Sequence, residues 1–475
     1  MTGLAAFFCL ERVLLTRPPE PALTRHLRDA GLREPPTAQL AGLTSRLLAT
    51  GIGENSISAR ATQAALAPAK GWSFAAVQQA AEAVADQLAS KIQPHGRVEL
   101  EDHRAQGCLA VLVTSLPDPL VAPLAERWGF DAVLATRWEA SDGAFTGRLA
   151  GPLMWGRERA KAAREWAAAN DVFLEQSFVY AGSFADVPLL EMAGHPRVVN
   201  PDTRLAGLAA VRRWPIRWFD VPAGVVKVGG RELQQWFRPL ADERLIGNAR
   251  IEITGLENIP ERGPGILVFN HRSYFDAQLV SLMLQKAGRS ARGIGKKEVF
   301  DAPVIGRFAH AFGGIRVDRG TGSDEPLFRA MKALRAGEMV MISPEGTIPR
   351  GLAFFEPELK GRWGTARMAH ATKAPVIPMG IWGAEKVWPR NQRLPKFWFP
   401  EGPPEVTIRV GPPVSLAYDD VDADTKRIMS AIVDQLPPEA RIRRTPTEAE
   451  LRLTYPANYK GDPDREFSRR PGFDR

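Results

Sequence analysis

Short apolar runs that alternate with helix-favouring stretches, in two successive blocks, are the sequence feature that most constrains the fold. In the first block the runs 4–10 (LAAFFCL) and 109–113 (LAVLV) have the length of buried strands. Further strands are expected at 132–134, 178–180 and 197–199, a hairpin near 145–149, and helices near 119–128 and 158–169. This order predicts a parallel α/β domain that ends near Trp218. The alanine-rich stretch 73–92 lies between the first two strands and predicts a helical cap or insertion.

A second α/β block begins at Ile251. Its predicted strands are 265–269, 315–318, 339–343, 376–381 and 407–410, and its predicted helices are 277–286, 326–336 and 364–372. Because 475 residues exceed one ordinary core, we expect two domains. The predicted boundaries are 1–220 for the first domain with its cap at about 20–105, 221–246 for a helical linker, 247–437 for the second domain, and 438–475 for a polar tail. The tail is arginine-rich and spaced by prolines, which predicts disorder.

Charge and cysteine content limit the partners and the compartment. Lysine and arginine (62) exceed aspartate and glutamate (54), and the net charge of +8 favours anionic partners such as phospholipid headgroups, phosphate esters or nucleic acid. No basic helix or RNA-binding module supports nucleic acid. Cys9 and Cys108 are the only cysteines, which predicts a reducing, cytoplasmic setting. Glu11 and Arg12 interrupt the first apolar run, so a signal peptide is not expected, and no uncharged run reaches about 18 residues, so membrane contact is expected to be peripheral.

A histidine and an aspartate five residues apart follow the strand 265–269, in the stretch 270–276 (NHRSYFD). Histidine has an unperturbed pKa of about 6.5 and can take a proton from a hydroxyl, while a carboxylate on its other nitrogen fixes the tautomer. Seven histidines and roughly 5% aspartate give about 0.4 such spacings by chance, so His271 and Asp276 alone are weak evidence. A loop histidine beside a helix-capping aspartate is the favoured explanation of this spacing taken alone.

Three sequence blocks later in the chain favour a catalytic role for His271 and Asp276 over the capping interpretation. The stretch 312–319 (FGGIRVDR) puts Arg316 and Arg319 at the end of a strand, and 343–347 (SPEGT) opens a loop after the next strand. Arginine forks suit phosphate oxygens, and glycine lets backbone N–H groups approach an anion. The last of the three, 377–380 (IPMG), ends a later strand, and with the His271 stretch it makes four blocks. Lys296 and its neighbour Lys297 add positive charge.

With these four blocks in this order, the chain resembles the 1-acylglycerol-3-phosphate acyltransferase family of the PlsC type, over roughly 245–416. The resemblance implies an αβ sandwich. It implies His271 as general base and Asp276 as the residue that orients it. The implied substrate-binding residues are Lys296, Arg316, Arg319, Glu345, Gly346 and Thr347. The arginine common after PEGT is Ile348 here, with Arg350 two residues later.

The implied reaction is direct transfer of a fatty acyl group from acyl-coenzyme A or acyl carrier protein to the hydroxyl of a lysophosphatidic acid-like lysophospholipid, in phospholipid biosynthesis. No covalent acyl-enzyme is required, and the sequence has no GxSxG elbow. Neither a cofactor nor a metal is expected, since no cysteine–histidine cluster has ligand spacing. The expected location is the cytoplasmic face of a membrane.

Aromatic and basic residues are interleaved in the stretch 382–399. Tryptophan favours the lipid interface, and basic side chains are attracted to anionic lipid. The stretch therefore predicts a patch that docks on an anionic membrane surface. Packing of the aromatic residues in the core, with the charges on a solvated face, is the open alternative.

The first α/β block, at about 4–220, resembles the haloacid dehalogenase-like phosphohydrolases of the phosphoserine phosphatase kind. The resemblance rests on the stretches 7–15 (FFCLERVLL), 113–115 (VTS), 156–161 (GRERAK) and 180–188 (YAGSFADVP). It implies a Rossmannoid fold with a helical cap. Thr114 and Ser115 could bind an anion or simply cap a turn, and the position of the family's lysine corresponds to Arg159 or Lys161.

The catalytic acids of that family are missing. Cys9 stands at the position of the nucleophilic aspartate, Glu11 at that of the second aspartate, and Gly182 where an acidic metal ligand is usual, although Asp186 is kept. We therefore expect no Mg²⁺ and a catalytically dead domain. Two alternatives stay open: a bifunctional phosphatase and acyltransferase, and a non-catalytic lipid-binding scaffold.

Overall fold

The computed structural model describes residues 3–17, 19–32, 69–222, 225, 227–228, 231–237, 239, 242–303, 305–318, 324–457 and 459. The chain divides into two compact units, Met1–Ala223 and Gly224–Arg475. The division falls three residues after the boundary predicted at 220.

The first unit is built on a parallel sheet with the strand order β3-β2-β1-β6-β7-β8. Its strands are β1 Ala5–Cys9, β2 Leu109–Pro117, β3 Ala132–Thr136, β6 Phe178–Ala181, β7 His195–Val199 and β8 Ile216–Arg217, and β4 Trp138–Ser141 with β5 Ala144–Leu149 forms a separate hairpin. Its helices are α1 Glu20–Asp29, α2 Phe74–Ala89, α3 Pro94–Ala105, α4 Asp118–Trp128, α5 Arg157–Ala169, α6 Val187–Leu190 and α7 Thr203–Arg212. The α/β prediction for this block is confirmed.

Strand β1 lies in the middle of this sheet because its side chains are apolar on both faces. All five of its residues are buried, and the ring of Phe8 stacks on that of Tyr180 from β6 with 4.4 Å between centroids. Helices must cover both faces of such a strand. Helix α2 begins where the hydroxyl of Ser73 accepts a hydrogen bond from the N–H of Ala76. It lies inside the predicted cap, of which residues 33–68 fall outside the described residues.

The second unit has a mixed seven-stranded sheet with the order β11-β17-β16-β12-β15-β13-β14. Its strands are β11 Arg250–Thr254, β12 Gly265–Phe269, β13 Ala291–Lys296, β14 Ile315–Val317, β15 Met339–Ile342, β16 Val376–Trp382 and β17 Glu405–Val410, and β9 Lys227–Val228 pairs with β10 Arg231–Glu232. Its helices are α8 Leu233–Phe237, α9 Asp276–Lys286, α10 Lys297–Asp301, α11 Ile305–Ala311, α12 Glu325–Arg335, α13 Gly364–Thr372, α14 Ala384–Val387, α15 Val421–Val433 and α16 Glu448–Leu453. Only the β16–β17 pair is antiparallel among the described strands of this sheet.

Two boundary predictions need correction. The stretch 221–246, predicted as a helical linker, contains the β9–β10 hairpin and the short helix α8, and it belongs to the second unit from Gly224 onwards. The polar tail from 438 was expected to be disordered. Up to Tyr459 its described residues instead include α16 and contacts with the rest of the unit, because its arginines and tyrosines find partners on the loop after β15.

No helix in the described parts of the chain is long and apolar enough to cross a membrane.

Candidate active site

Three of the predicted site segments lie at the carboxyl ends of neighbouring parallel strands. His271 follows β12, the stretch 343–347 follows β15, and Lys296 ends β13. These three strands are adjacent in the sheet, in the order β12-β15-β13. Side chains after the carboxyl ends of adjacent parallel strands meet at one edge of the sheet, where α/β proteins commonly bind ligands.

His271 and Asp276 form a direct hydrogen bond. The ring nitrogen Nδ1 of His271 lies 2.8 Å from Oδ2 of Asp276. The same carboxylate oxygen accepts the backbone N–H groups of Arg272 at 2.7 Å and Ser273 at 2.9 Å. The Asp276 side chain is fully buried, whereas that of His271 keeps 26% of its surface exposed. The turn thus fixes the carboxylate at Nδ1 of the ring and leaves Nε2 as the ring nitrogen that can act on a substrate.

Two buried side chains hold the loop of His271 in place. Asn270 accepts the N–H of Ile381 at 2.8 Å and donates to the carbonyl of the same residue at 2.9 Å, which ties the loop to β16. Oε2 of Glu345 accepts the backbone N–H of His271 at 2.8 Å. Glu345 is only 6% exposed. Its carboxylate therefore holds the loop 270–276 in place through this hydrogen bond.

The remainder of the SPEGT stretch links β15 to β13. The ammonium group of Lys296 donates to the hydroxyl of Thr347 at 2.9 Å. Gly346 has a φ of 71°, in the left-handed region, and a Cβ there would come within 3.0 Å of Nε of Arg362. The left-handed backbone favours glycine at this position, and the structure brings Lys296 and Thr347 together.

The two predicted phosphate-binding arginines are not brought into this network. Arg316 on β14 pairs with Gly295, whereas Lys296 pairs with Val317. Because side chains alternate between faces along a strand, Arg316 and Lys296 project from opposite faces of the sheet. The guanidinium of Arg316 lies 2.9 Å from the carboxylate of Asp301. Arg319 lies outside the described residues.

Arg272 is a site residue that the sequence reasoning missed. Its guanidinium lies between two aromatic rings, 4.1 Å from the centroid of Phe354 and 4.3 Å from that of Trp382, and 2.9 Å from Glu385. The cation–π contacts fasten the loop 270–276 to the loop after β15 and to the end of β16. Its position between His271 and Asp276 was the available signal.

Arg390 is the second residue that was missed, because it was assigned to the predicted docking patch. It is 8% exposed, and its NH1 donates to the carbonyls of Ile348 at 2.6 Å and Pro349 at 3.3 Å. Burial lowers the pKa of the Arg390 guanidinium, and the nearby Tyr274 opposes this shift. The C-terminal segment joins this cluster, since the hydroxyl of Thr454 accepts the N–H of Gly351 at 2.8 Å.

The aromatic and basic stretch 382–399 divides into two parts. Trp382 and Trp388 are half-buried, in contact with the loop that carries His271. Phe397 and Trp398 instead expose 75% and 77% of their surface. Packing against the rest of the domain therefore describes Trp382 and Trp388, whereas Phe397 and Trp398 remain exposed.

In the first unit, the positions that correspond to phosphatase catalytic residues form a closed network. Oε1 of Glu11 accepts the hydroxyl of Thr114 at 2.6 Å, and both the N–H and the hydroxyl of Ser115 at 3.1 Å. NH1 of Arg159 lies 2.6 Å from Asp186, and its NH2 lies 3.3 Å from Glu11. Of the two residues predicted for the family's lysine position, Arg159 is therefore the one that joins this network.

The residues of this network do not fit a Mg²⁺ site. Asp186 directs one carboxylate oxygen to Arg159 and accepts a hydrogen bond from the thiol of Cys9 on the other, at 3.7 Å. Burial raises the pKa of Asp186, although the charge of Arg159 opposes the shift. A Cβ on Gly182 would lie 2.4 Å from the carbonyl oxygen of Val199, so the backbone leaves no room for the usual acidic ligand. The described residues contain no cluster of His, Cys, Asp and Glu that could hold a metal ion.

Family models match both units. A haloacid dehalogenase-like hydrolase model matches residues 14–191, and an acyltransferase model matches residues 250–382. A relative from Streptomyces azureus, the "inhibition of morphological differentiation protein", is 31% identical over 223 residues, which are 46% of this chain and 79% of that protein. The chain is a haloacid dehalogenase-like hydrolase family member fused to an acyltransferase domain. The acyltransferase match includes His271, Asp276 and Glu345, and the hydrolase match begins after Cys9 and Glu11.

Other relatives resemble parts of the fusion. Phosphoserine phosphatase SerB1 of Mycobacterium tuberculosis is 36% identical over 166 residues, 35% of this chain and 54% of that protein. The chain thus spans about half the length of that relative. Among solved structures, the 1-acyl-sn-glycerophosphate acyltransferase PlsC of Thermotoga maritima is 20% identical, with a TM-score of 0.34, over 43% of this chain and 79% of that one.

Proposed function

We propose that the acyltransferase domain transfers a fatty acyl group from acyl-coenzyme A, or acyl carrier protein, to the free hydroxyl of a lysophosphatidic acid-like acceptor. The observation that carries the proposal is the 2.8 Å hydrogen bond from Nδ1 of His271 to the buried carboxylate of Asp276. It holds the imidazole with Nε2 available as a base, in a ring that is partly exposed.

The reaction follows from this geometry. Nε2 of His271 takes the proton of the glycerol hydroxyl while the oxygen attacks the thioester carbonyl. The tetrahedral intermediate then expels the thiolate, which takes the proton back from the imidazolium. Asp276 stays ionised and stabilises the imidazolium, as the orienting carboxylate does in a hydrolase triad. An ester forms, a thioester breaks, and no covalent enzyme intermediate is needed.

Lys296 and Thr347 support an anionic acceptor. They meet at 2.9 Å beside Glu345, in the same loop cluster as His271. An ammonium group beside a hydroxyl suits the phosphate of a lysophospholipid. We infer that Lys296, rather than Arg316, makes the main phosphate contact of the described residues, because Arg316 projects from the other face and pairs with Asp301.

We further propose that the haloacid dehalogenase-like domain has no phosphatase activity. Glu11 is engaged by Thr114 and Ser115, Asp186 is paired with Arg159, and Gly182 has no room for a side chain. The alternative is a bifunctional enzyme, favoured by the phosphatase names of two relatives. Mg²⁺-dependent release of phosphate from phosphoserine or phosphatidic acid, lost in Cys9→Ala, would support that alternative.

The test is a substrate panel. Purified protein is incubated with labelled palmitoyl- and oleoyl-coenzyme A and a set of lysophospholipids that differ in headgroup. We expect product with lysophosphatidic acid and at least a hundredfold loss in Lys296→Ala for this acceptor, with a smaller loss for an acceptor without a phosphate monoester. No product with any acceptor would refute the proposed function, and equal losses for all acceptors would refute the role of Lys296.

A further inference from the structure

The most exposed apolar side chains of the second unit lie close together in one short segment. Leu394, Phe397 and Trp398 expose 69%, 75% and 77% of their surface. Among the exposed large hydrophobic residues that the structure describes, only Val211 of the other unit, at 80%, is more exposed. Exposing aromatic and aliphatic side chains together is costly in water, so such a cluster marks an interaction site. We call residues 393–398 the docking segment.

The charge around the docking segment has one sign. The stretch 386–400 contains Lys386, Arg390, Arg393 and Lys396 but no aspartate or glutamate. Arg390 is buried, whereas Lys386 and Arg393 are exposed. The nearest acidic residues in sequence flank the stretch: Glu385 pairs with Arg272, and Glu401 is exposed. A surface of tryptophan, phenylalanine and leucine with basic neighbours suits the interface of an anionic bilayer.

The backbone of the docking segment is anchored to the body of the acyltransferase domain. The N–H of Lys396 donates to the carbonyl of Val387 at 2.9 Å, and its carbonyl accepts the side-chain amide of Asn248 at 2.9 Å. The indole N–H of Trp388 donates to the carbonyl of Gln392 at 3.1 Å and closes the base of the segment. The exposed side chains are thus presented by a fastened loop.

The same base contacts the catalytic loop. The hydroxyl of Ser273, which lies between His271 and Asp276, donates to the carbonyl of Trp388 at 2.7 Å. The ring of Tyr274 packs edge-on against that of Trp388, with 5.7 Å between centroids. A surface that touches the docking segment is therefore close to the loop on which acyl transfer is proposed to occur.

We propose that residues 393–398 dock the acyltransferase domain onto an anionic lipid bilayer, beside the loop that carries His271. Leu394, Phe397 and Trp398 enter the interfacial region, and Arg393 and Lys386 meet the headgroups. The proposal deepens the proposed function, on which it rests, by naming the surface through which a lipid acceptor reaches the site. The docking segment lies outside the residues that the acyltransferase family model matches, 250–382.

The test is flotation of the full chain with vesicles of phosphatidylcholine, with and without phosphatidylglycerol. We expect wild type to float with the anionic vesicles and the variant Leu394→Ser/Phe397→Ser/Trp398→Ser to bind them at least tenfold more weakly. Arg393→Gln should reduce binding severalfold, with the reduction disappearing at high salt. Phe328→Ser, at a residue 62% exposed on α12, is the matched control and should bind like wild type.

Transfer to a short-chain, monomeric lysolipid separates this proposal from the proposed function. Retained transfer by the triple variant, together with lost flotation, supports the docking segment and shows that the variant folds. Equal flotation of the triple variant and wild type overturns the proposal, as does flotation that ignores lipid charge. A wild-type dimer in solution that the triple variant converts to a monomer also overturns it, in favour of a second copy. Lack of transfer to every acceptor, with flotation intact, refutes the proposed function and leaves the docking segment standing.

Discussion

Replacing Asp276 by asparagine separates the effect of its negative charge from its role in holding the turn together. Oδ2 of Asp276 accepts three hydrogen bonds, from the ring of His271 and from the backbone N–H groups of Arg272 and Ser273. Oδ1 is buried and has no hydrogen-bond partner among the described residues. An asparagine can therefore place its oxygen at the position of Oδ2 and its amide group at that of Oδ1, so the turn survives while the negative charge is lost.

The expected loss of kcat follows from the hydrogen bond between His271 and residue 276, which no longer involves a charged acceptor. A hydrogen bond to a charged group contributes about 1.5–3 kcal/mol. At about 1.36 kcal/mol for each factor of ten, loss of that contribution to the imidazolium lowers kcat by roughly ten- to two-hundred-fold. The melting temperature of Asp276→Asn should stay close to that of wild type.

Asp276→Ala provides the comparison. It leaves two backbone N–H groups without their acceptor, at about 1–3 kcal/mol each. Since about 1 kcal/mol shifts Tm by roughly 2–4 °C in a domain of this size, the alanine variant should melt at least about 4 °C lower. The assay is acyl transfer at saturating substrates together with thermal unfolding. A kcat for Asp276→Asn within twofold of wild type, at unchanged Tm, would refute the reasoning.

Three further changes test other parts of the structure. Arg159→Met leaves the carboxylate of Asp186 buried without its cation, which should destabilise the first unit by about 3–5 kcal/mol. Calorimetry should show a large fall in the Tm of the first unit for this variant and none for the control Arg164→Met. An unchanged Tm for Arg159→Met would contradict the buried ion pair. Thr454→Val removes the acceptor of the Gly351 N–H and should lower the Tm of the second unit by several degrees, whereas Arg452→Ala, in an exposed pair, should not. Burial alone would raise the pKa of Asp424, but hydrogen bonds from Arg427, the N–H groups of Ala417 and Tyr418, and His370 lower it far below its usual value. The stabilising effect of ionised Asp424 is therefore complete above about pH 4 and is lost as the pH falls further. The Tm difference between wild type and Asp424→Asn should shrink in acid. A Tm difference that does not change with pH would contradict this role of Asp424.

Most of both sheets could be predicted from the sequence because their strands are continuous apolar runs. Strand β13 could not, since Arg292, Gly293, Gly295 and Lys296 interrupt its pattern. The structure shows why such a strand is stable: it pairs with β15 and β14, and Arg292 is held by Glu232 at 2.6 Å and by Glu338 at 2.7 Å. These partners are distant in sequence, and local periodicity contains no information about them.

The C-terminal segment up to Tyr459 differs from its predicted disorder for a similar reason, while residues 460–475 lie outside the described residues. Its composition is that of a disordered tail, but Arg443 pairs with Glu356 at 2.7 Å and Arg444 lies 4.9 Å from the ring of Phe355. Composition describes the residues of a segment and not the surface on which it packs. A polar segment is ordered when a loop elsewhere in the chain offers partners for its charges and rings.

The site was predictable where its chemistry is local. The spacing of His271 and Asp276 allows a short turn to join them, and the structure shows that hydrogen bond. The part of Arg390 was not predictable, because a basic residue among aromatic ones fits a lipid surface as well as it fits a buried contact. Burial decides between these two, and burial depends on the carbonyls of Ile348 and Pro349, which are more than forty residues away in sequence.

The most direct test of the central claim is the rate of acyl transfer from oleoyl-coenzyme A to lysophosphatidic acid in three proteins: wild type, His271→Ala and His310→Ala. His310 is an exposed histidine on α11 and serves as the matched control. General-base catalysis contributes typically about 10²–10⁴-fold, so His271→Ala should lose at least a hundredfold in kcat with an unchanged Tm, and His310→Ala should lose nothing. Equal rates for wild type and His271→Ala would contradict the account.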